Sequence, residues 1–155
     1  MLQDLTLRPL EPADEQPLAA LFAASDRGDV TCWFDPFPLS AVSARTLIGL
    51  RGRDLYWGAW SAADLVAFAM VRGWDGGHPQ PAYGCLVDRR RHSQGIGGAV
   101  TKLVLADLRA RGVPEVRARV HDDNERSLRM LLAAGYKELE RSAGRILLAA
   151  HPGER

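Results

Sequence analysis

The sequence predicts an α/β fold of the α+β kind, with one central mixed β-sheet of about seven strands flanked by about four helices. Three observations lead to this prediction. The length of 155 residues is usual for one domain. The 46% of hydrophobic and 25% of charged residues are typical of a globular protein that buries a core. The predicted elements follow the order βααβββαβαββ, which combines hairpins with crossover helices and therefore favours a mixed sheet.

In the first half of the chain, the spacing of apolar residues predicts four strands and two helices. Strands are indicated where apolar residues alternate or run between turn residues, and helices where they recur every three or four positions. In chain order these are a strand at 5–8, helices at 12–24 and 40–50, and strands at 55–60, 65–74 and 82–87. The turn-rich segment 25–38 lies between the two helices and carries Trp33, Phe34 and Phe37.

The second half contains the most strongly periodic helix. In chain order its elements are a helix at 95–111, a strand at 115–120, a helix at 128–134 and a hairpin of 136–139 and 145–148. The first of these helices ends at Gly112 and Pro114. The second takes its start from Asn124 and Ser127 and ends at Gly135.

Charge and composition exclude several classes of partner. The 20 Lys and Arg against 19 Asp and Glu leave a net charge of +1, which supports no whole-surface binding to nucleic acid or membrane. No segment approaches the ~18 apolar residues of a membrane span, and the N-terminus lacks the basic and apolar regions of a signal peptide. We expect a cytoplasmic protein with one domain over 1–150 and a short polar tail at 151–155.

The two cysteines, Cys32 and Cys85, share no metal-ligand spacing and cannot be paired from the sequence. We therefore expect no metal site, and a reducing compartment is the simplest interpretation.

The strongest chemical signal is the segment 87–98, VDRRRHSQGIGG, in which a strand runs into a basic, glycine-rich turn that opens a helix. Glycines allow close approach of a ligand to the backbone. The first turn of a helix leaves N–H groups unpaired, and its dipole favours anions. This pattern predicts a phosphate or pyrophosphate site. The alternative is that the glycines only permit tight packing of the helix and the arginines face solvent.

Two familiar nucleotide motifs match this turn poorly. A Walker P-loop requires Gly-Lys followed by Ser or Thr, but Gly97 is followed by Gly98 and Ala99. A dinucleotide fingerprint requires a third glycine where Val100 stands, although Asp122, 25 positions after Gly97, lies near the expected spacing. Only 33 residues follow Asp122, which is too few for the second half of such a fold.

A third motif fits better. Gly95-Ile96-Gly97 resembles the acyl-CoA pyrophosphate loop of the GNAT superfamily of N-acyltransferases, whose pattern is Arg or Gln, two residues, Gly, any residue, then Gly or Ala. His92 stands at the first position of this pattern, where the family has a longer polar side chain.

Two further segments are similar to the same superfamily. Residues 7–10, followed by Asp14, resemble its first strand and helix start. Asn124, Ser127 and the pair at 135–136 resemble its final motif, in which Asn is followed by Ala or Ser three positions later and by Gly and an aromatic residue from eleven positions later. The three segments stand in the family's order and span nearly the whole chain, which implies a GNAT-like fold.

The resemblance also implies a cofactor site for acetyl-CoA. Leu86 and Val87 would bind the pantetheine arm through their backbone, the loop would hold the pyrophosphate, and Asn124 would contact the cofactor from the next crossover. The residues implied to bind acetyl-CoA are Leu86, Val87, His92, Ser93, Gln94, Gly95, Ile96, Gly97, Gly98, Asn124 and Ser127. For Asn124 a plain helix cap is equally compatible. The arginines at 89–91 either contact the adenosine phosphate or face solvent.

Acyl transfer needs a base that accepts a proton from the amine. The family often uses a carboxylate near the strand before the loop, but none stands at 79–87. His121, at the end of the next strand, is our candidate because imidazole titrates near pH ~6.5. An exposed loop histidine is the structural alternative, and Asp75 and His78 are further candidates for the base.

Many family members donate a proton to the departing thiolate from a tyrosine seven positions after the helix asparagine. Leu131 stands there. A thiolate leaves unprotonated at pH 7 for about 2 kcal/mol, and Tyr83, Ser127 or water could replace the tyrosine. Cys85 is interpreted as a core residue rather than an acyl-enzyme nucleophile.

Two functions follow from these observations. The favoured one is an N-acetyltransferase that moves an acetyl group from acetyl-CoA directly to a primary amine of a small molecule or peptide, with His121 and Tyr83 as candidate catalytic residues. The alternative is a non-catalytic acyl-CoA-binding or sensing domain of the same fold. Trp33, Phe34 and Trp74 could line the amine pocket or belong to the core. The sequence leaves the acceptor and a homodimeric state open.

Overall fold

A computed structural model describes residues 4–154 and shows a seven-stranded sheet in the order β1-β2-β3-β4-β5-β7-β6. The strands are β1 (Leu5–Pro9), β2 (Leu55–Ser61), β3 (Asp64–Arg72), β4 (Ala82–Val87), β5 (Val116–His121), β6 (Lys137–Ser142) and β7 (Arg145–Ala150). Neighbouring strands are antiparallel, except that β4 and β5 are parallel. The predicted mixed sheet is therefore confirmed.

Within residues 4–154, five α-helices flank this sheet, one more than the sequence predicted. They are α1 (Glu15–Ser25), α2 (Gly28–Thr31), α3 (Ala41–Gly49), α4 (Ile96–Ala110) and α5 (Glu125–Ala134). The additional helix is α2, a single turn inside the turn-rich segment 25–38. Four residues are too few to produce an apolar period. No helix of the described chain has the length and apolar character needed to cross a membrane.

The helix boundaries follow from local chemistry that the sequence already displayed. The Ser40 hydroxyl accepts from the Ser43 backbone N–H at 3.2 Å and caps α3. Gly135 ends α5 with a φ of 110°, which a side chain would strain. One strand is shorter than predicted: β3 ends at Arg72 because Gly73, at φ 139°, turns the chain into a 3₁₀ turn at Trp74–Gly76.

The sheet carries a hydrophobic layer on each face. On one face, α4 and α5 pack over β3, β4, β5 and β7, and the largest buried side chains there are Trp57 and Tyr136. On the other face, α1 and α3 pack over β3, where Phe22 and Phe68 form an edge-to-face pair with ring centroids 5.3 Å apart. Along most of each strand, successive residues therefore alternate between the two faces.

The pairing of β4 with β5 is confined to one position. Ala82 pairs with Arg117, and the Arg117 N–H donates to the Pro81 carbonyl at 2.8 Å. Beyond this position the two strands are not paired. Because β4 leads into α4 and β5 leads into α5, both helices begin beside the opening that results.

The start of the fold is held by an ion pair between β1 and the turn before α1. The Arg8 guanidinium donates to both carboxylate oxygens of Asp14, at 2.7 and 3.0 Å. The Glu11 backbone N–H donates to the same carboxylate at 2.8 Å. Asp14 is only 4% exposed, and the hydrogen bond from Arg8 lowers the pKa of its carboxyl. This pair joins the segment 7–10 to Asp14, the two parts that the sequence comparison singled out together.

We expect Asp14→Asn to lower the free energy of unfolding by about 1 to 2 kcal/mol at pH 7, because it weakens charge-assisted hydrogen bonds to a partner that is itself partly exposed. The folded-state pKa of Asp14 is lowered. Its contribution is therefore present above the unfolded value near ~3.9 and is lost as the pH falls through the folded value. Urea unfolding between pH 7 and pH 3 measures both effects.

The matched control is Glu15→Gln, which removes the exposed pair of Glu15 with Arg45 and should change stability by less than about 0.5 kcal/mol. A difference between wild type and Asp14→Asn that stays constant down to pH 3 would contradict this account of Asp14.

Candidate active site

A cleft of about 800 Å³ occupies the opening between β4 and β5. This volume is in the range of small-molecule sites. Its walls are the end of β4, the loop that follows, the first turns of α4 and α5, and α2 with the residues after it. Nearly all residues implied to bind acetyl-CoA line this cleft: Leu86, Val87, His92, Ser93, Gly95, Ile96, Gly97, Gly98, Asn124 and Ser127. Gln94 is exposed and does not line it.

The edge of β4 that faces the cleft presents backbone groups of alternate residues. The Asp88 N–H donates to the Val66 carbonyl at 2.8 Å, so even-numbered residues of β4 turn their polar groups toward β3. By alternation, Cys85 and Val87 turn theirs toward the cleft. Leu86 contributes its side chain to the wall instead, so sequence reasoning overlooked Cys85 as the second backbone partner.

The loop between β4 and α4 is held in a conformation that exposes helix amides. Ser93 and Gly95 both adopt positive φ, 66° and 77°, and Gly95 is the residue before the first turn of α4. Asp88 anchors the other end of the loop, since its buried carboxylate accepts from the Arg90 backbone N–H at 3.0 Å. The first turn of α4 therefore begins at the cleft with its N–H groups free of helical partners.

Gly97 and Gly98 have different structural roles. A Cβ on Gly97 would lie 2.9 Å from the Met130 sulfur, so Gly97 permits close packing of α4 against α5. A Cβ on Gly98 would meet nothing within 4 Å. The interpretation that the glycines only permit tight packing of the helix therefore holds for Gly97, whereas Gly98 borders open space at the cleft.

The three consecutive arginines are all engaged within the protein. Arg89 donates to Asp29 at 3.2 Å. Arg90 donates to Asp88 at 2.8 Å, and Arg91 donates to Asp64 at 3.0 Å. The bonds from Arg90 lower the pKa of Asp88. The run of charge thus ties the loop to α2 and to the start of β3.

His92 and Arg126 form a contact that the sequence did not predict. The Nε2 atom of His92 lies 3.2 Å from the Val87 carbonyl oxygen, and its Nδ1 atom lies 3.5 Å from the Arg126 guanidinium. Arg126 lies in the first turn of α5 and lines the cleft. The sequence shows that Arg126 lies within the motif at 124–127, but only the tertiary structure shows that it contacts His92.

Asn124 caps α5, as its sequence context predicted. Its side-chain oxygen accepts from the Ser127 backbone N–H at 3.4 Å, and its amide nitrogen donates to the Ser127 hydroxyl at 3.1 Å. Both residues line the cleft. The capping role is confirmed, and the implied contact with acetyl-CoA stays a prediction.

Tyr83 lies inside the layer between the sheet and α4. Its hydroxyl is 3.0 Å from the Thr101 hydroxyl, which donates to the Gly97 carbonyl at 2.7 Å. The Thr101 hydrogen is thus committed to Gly97, and Tyr83 donates to Thr101. Burial raises the pKa of Tyr83 well above its usual value. Tyr83 does not line the cleft, and its catalytic role stays a prediction.

His121 lies on the opposite face of the sheet from Tyr83. Val116, Ala118 and Val120 point toward α4 and α5, so the alternate residue His121 points the other way. Its ring makes an edge contact with Trp33, with ring centroids 5.4 Å apart. Trp33 lines the cleft, whereas His121 stands behind it.

Asp75, Cys85 and Leu131, which the sequence also brought into question, have structural roles. Asp75 accepts from the backbone N–H groups of Arg53 and Asp54 at 2.8 and 3.1 Å, which lowers its pKa and fastens two loops together. Burial raises the pKa of the Cys85 thiol to about 11, which keeps it protonated at neutral pH. Leu131 is 4% exposed and packs in the core.

Within residues 4–154, no three His, Cys, Asp or Glu side chains come together as metal ligands. The expectation of no metal is not tested by this observation.

Comparison with known proteins agrees with this architecture. A family model described as an acetyltransferase (GNAT) domain matches residues 4–137. No curated protein matches the chain at a significant level. Among solved structures, a ribosomal L7/L12 alpha-N-protein acetyltransferase in complex with coenzyme A is 14% identical with a TM-score of 0.81, and the match covers 98% of this chain and 97% of that chain.

Two further structures have the same fold. The GNAT domain of S. lividans PAT is 20% identical with a TM-score of 0.79, covering 94% of this chain and 89% of that chain. The ribosomal-protein-S18-alanine N-acetyltransferase from Escherichia coli is 18% identical with a TM-score of 0.72, covering 97% and 96%. At these identities the likeness concerns the fold alone. Because the family model extends from the first strand into the last hairpin, the chain belongs to the GNAT acetyltransferase family.

Proposed function

We propose that this chain is an N-acetyltransferase that transfers the acetyl group of acetyl-CoA directly to a primary amine. The observation that carries the proposal is the edge of β4 at Cys85 and Val87, which pairs with no strand of the described chain and lies next to the exposed first turn of α4. An extended ligand with amide groups can add to such an edge as a strand does. A phosphate at its other end then meets the helix amides. Acetyl-CoA combines both features in one molecule.

The residues present fit this cosubstrate. Alternation leaves the Cys85 backbone groups and the Val87 N–H facing the cleft, where amides of the pantetheine arm can pair with them, while the Val87 carbonyl is bonded to His92. The open space beyond Gly98 leaves room for phosphate oxygens. The cosubstrate supplies the acetyl group as a thioester, and every other step belongs to side chains of the protein and to the amine.

His121 is proposed as the base. The amine nitrogen forms a bond with the carbonyl carbon of the thioester, the carbon–sulfur bond breaks, and coenzyme A leaves as a thiolate. The amine proton passes to a neutral imidazole, directly or through water. His121 lies on the sheet face that also carries Leu86, and its ring contacts Trp33, which lines the cleft.

The departing thiolate needs no tyrosine in this scheme. Leu131 occupies the family's position for that group and is buried. At pH 7 the cost of releasing an unprotonated thiolate with an ordinary pKa is about 2 kcal/mol, which is small beside the barrier lowering typical of enzymes. Water or Ser127, which lines the cleft, supplies the proton afterwards.

The acceptor is proposed to be a small-molecule or peptide amine that enters beside Trp33 and Phe34. These two aromatic residues line the cleft on the same side as His121. Two of the similar structures are named for ribosomal proteins, another is named for spermidine, and one is a complex with paromomycin. The shared fold therefore serves amines of very different size.

A non-catalytic acyl-CoA-binding domain is the second candidate function. The observation that favours it is the leucine at position 131, together with the lack of a carboxylate on β4. The two functions share the cleft and differ only in whether thiol is released.

We expect acetyl-CoA to release free thiol at an amine-dependent rate when the protein is mixed with a panel of amines, amino sugars and peptides. A thiol-reactive dye measures the release, and mass spectrometry identifies the acetylated product. Tight acetyl-CoA binding with no amine-dependent thiol release across the panel would favour the binding domain.

We expect Gly98→Asp to weaken coenzyme A binding at least tenfold, because it places a carboxylate where the phosphates bind. Gly98→Ala is the matched control and should bind nearly as wild type, since its Cβ meets open space. Both variants should fold, because Asp is favourable in the first turn of a helix. Titration calorimetry gives the affinities, and equal affinity of the Asp and Ala variants would refute the loop as the phosphate site.

We expect His121→Ala to lower kcat by about 10² to 10⁴, the usual effect of losing a general base, while acetyl-CoA affinity stays nearly unchanged. His151→Ala serves as the control, because His151 bonds to Glu115 and does not line the cleft. Steady-state kinetics on an identified amine, with calorimetry for the cosubstrate, separates the two quantities. A near-normal kcat with an unshifted pH profile would place the base elsewhere.

A further inference from the structure

One of the arginines in the cleft carries a charge that the protein does not neutralise. Arg89, Arg91 and Arg126 line the cleft. Arg89 is paired with Asp29 and Arg91 with Asp64. Within residues 4–154, no carboxylate oxygen lies within 4.0 Å of the Arg126 guanidinium. Arg126 is therefore the cleft arginine available to an anionic ligand.

His92 contacts both the Val87 carbonyl and the Arg126 guanidinium. The Val87 carbonyl can only accept, so the hydrogen of the His92 ring is on Nε2. The Nδ1 atom then has a lone pair that accepts from Arg126 across a long contact of 3.5 Å. One neutral tautomer satisfies both contacts. His92 thus connects the last residue of β4 with the first turn of α5 and holds the guanidinium next to the loop.

We propose that Arg126, positioned by His92, provides the cation that binds the diphosphate of acyl-CoA in this protein. The inference rests on the proposed function and assigns it a residue outside the glycine loop. At position 92 the family pattern has a long polar side chain, whereas His92 is short and is occupied with Val87. The positive charge next to the loop is instead that of Arg126 on α5. Guanidinium groups bind phosphate oxygens with charge-assisted hydrogen bonds.

We assign Arg126 to the diphosphate rather than to the 3′-phosphate of the adenosine because its contact with His92 places it close to the loop. Arg126 is tied through His92 to Val87, the residue at which the strand ends and the loop begins. The diphosphate is the part of the ligand that the loop amides receive. Arg129, one turn further along α5, is 4.0 Å from Glu125 and does not line the cleft.

The test compares Arg126→Gln with the matched control Arg129→Gln on the same helix. Titration calorimetry at low ionic strength measures the affinity for coenzyme A and for dephospho-coenzyme A, which lacks the 3′-phosphate. We expect Arg126→Gln to weaken both ligands by about tenfold, and by less at high salt. Arg129→Gln should leave both affinities unchanged.

Each other outcome overturns the proposal in a distinct way. Equal affinities for the two glutamine variants would remove Arg126 from the site. A loss seen with coenzyme A but not with dephospho-coenzyme A would move Arg126 to the 3′-phosphate. Failure of the wild-type protein to bind coenzyme A at all would overturn the proposed function together with this inference.

The positioning role of His92 has its own readout. If His92 acts through Arg126, His92→Ala should weaken coenzyme A binding in the wild-type background and have little further effect in Arg126→Gln. A double-mutant cycle measures this coupling. Additive losses would show that His92 does not act through Arg126, and a merely structural role of His92 would weaken binding equally in both backgrounds.

Discussion

The early end of the pairing between β4 and β5 is the constraint on which the rest of this structure depends. A buried backbone group without a partner is costly, yet the edge of β4 beyond Ala82 faces an opening rather than a strand. His92 satisfies one of the exposed carbonyls, that of Val87. The remaining groups are available to water or to a ligand. The same break that weakens the sheet therefore creates the edge to which an extended amide ligand can add.

The helices are placed by the same break. Because α4 follows β4 and α5 follows β5, both N-terminal ends lie at the opening, where their free N–H groups and dipoles favour anions. Ion pairs hold the walls around them. Arg89 joins the loop to α2 through Asp29, and Arg91 joins it to β3 through Asp64. A run of basic residues is thus used for structure, while an isolated arginine on another element remains available.

The two faces of the sheet carry different parts of the candidate site. On the face covered by α4, Tyr83 donates to Thr101, which donates to Gly97, and this buried chain of hydrogen bonds supports the first turn of the helix. On the other face, Trp33 and His121 meet beside the cleft. Strand alternation alone separates these groups, since Tyr83 and His121 belong to opposite faces of neighbouring strands.

Local chemistry in the sequence determined the elements and the loop. Apolar periodicity predicted the strands and long helices, and the Asn124 cap predicted the start of α5, because each depends on residues close in the chain. The glycines predicted the loop before α4, and the anion site there stays a prediction. The single turn α2 was missed, since four residues carry no period. The tertiary structure decided which backbone groups of β4 face the cleft and which arginines are neutralised. It also brought His92 next to Arg126, 34 positions away in the chain. These features depend on strand register and on contacts between distant segments, which local spacing does not encode.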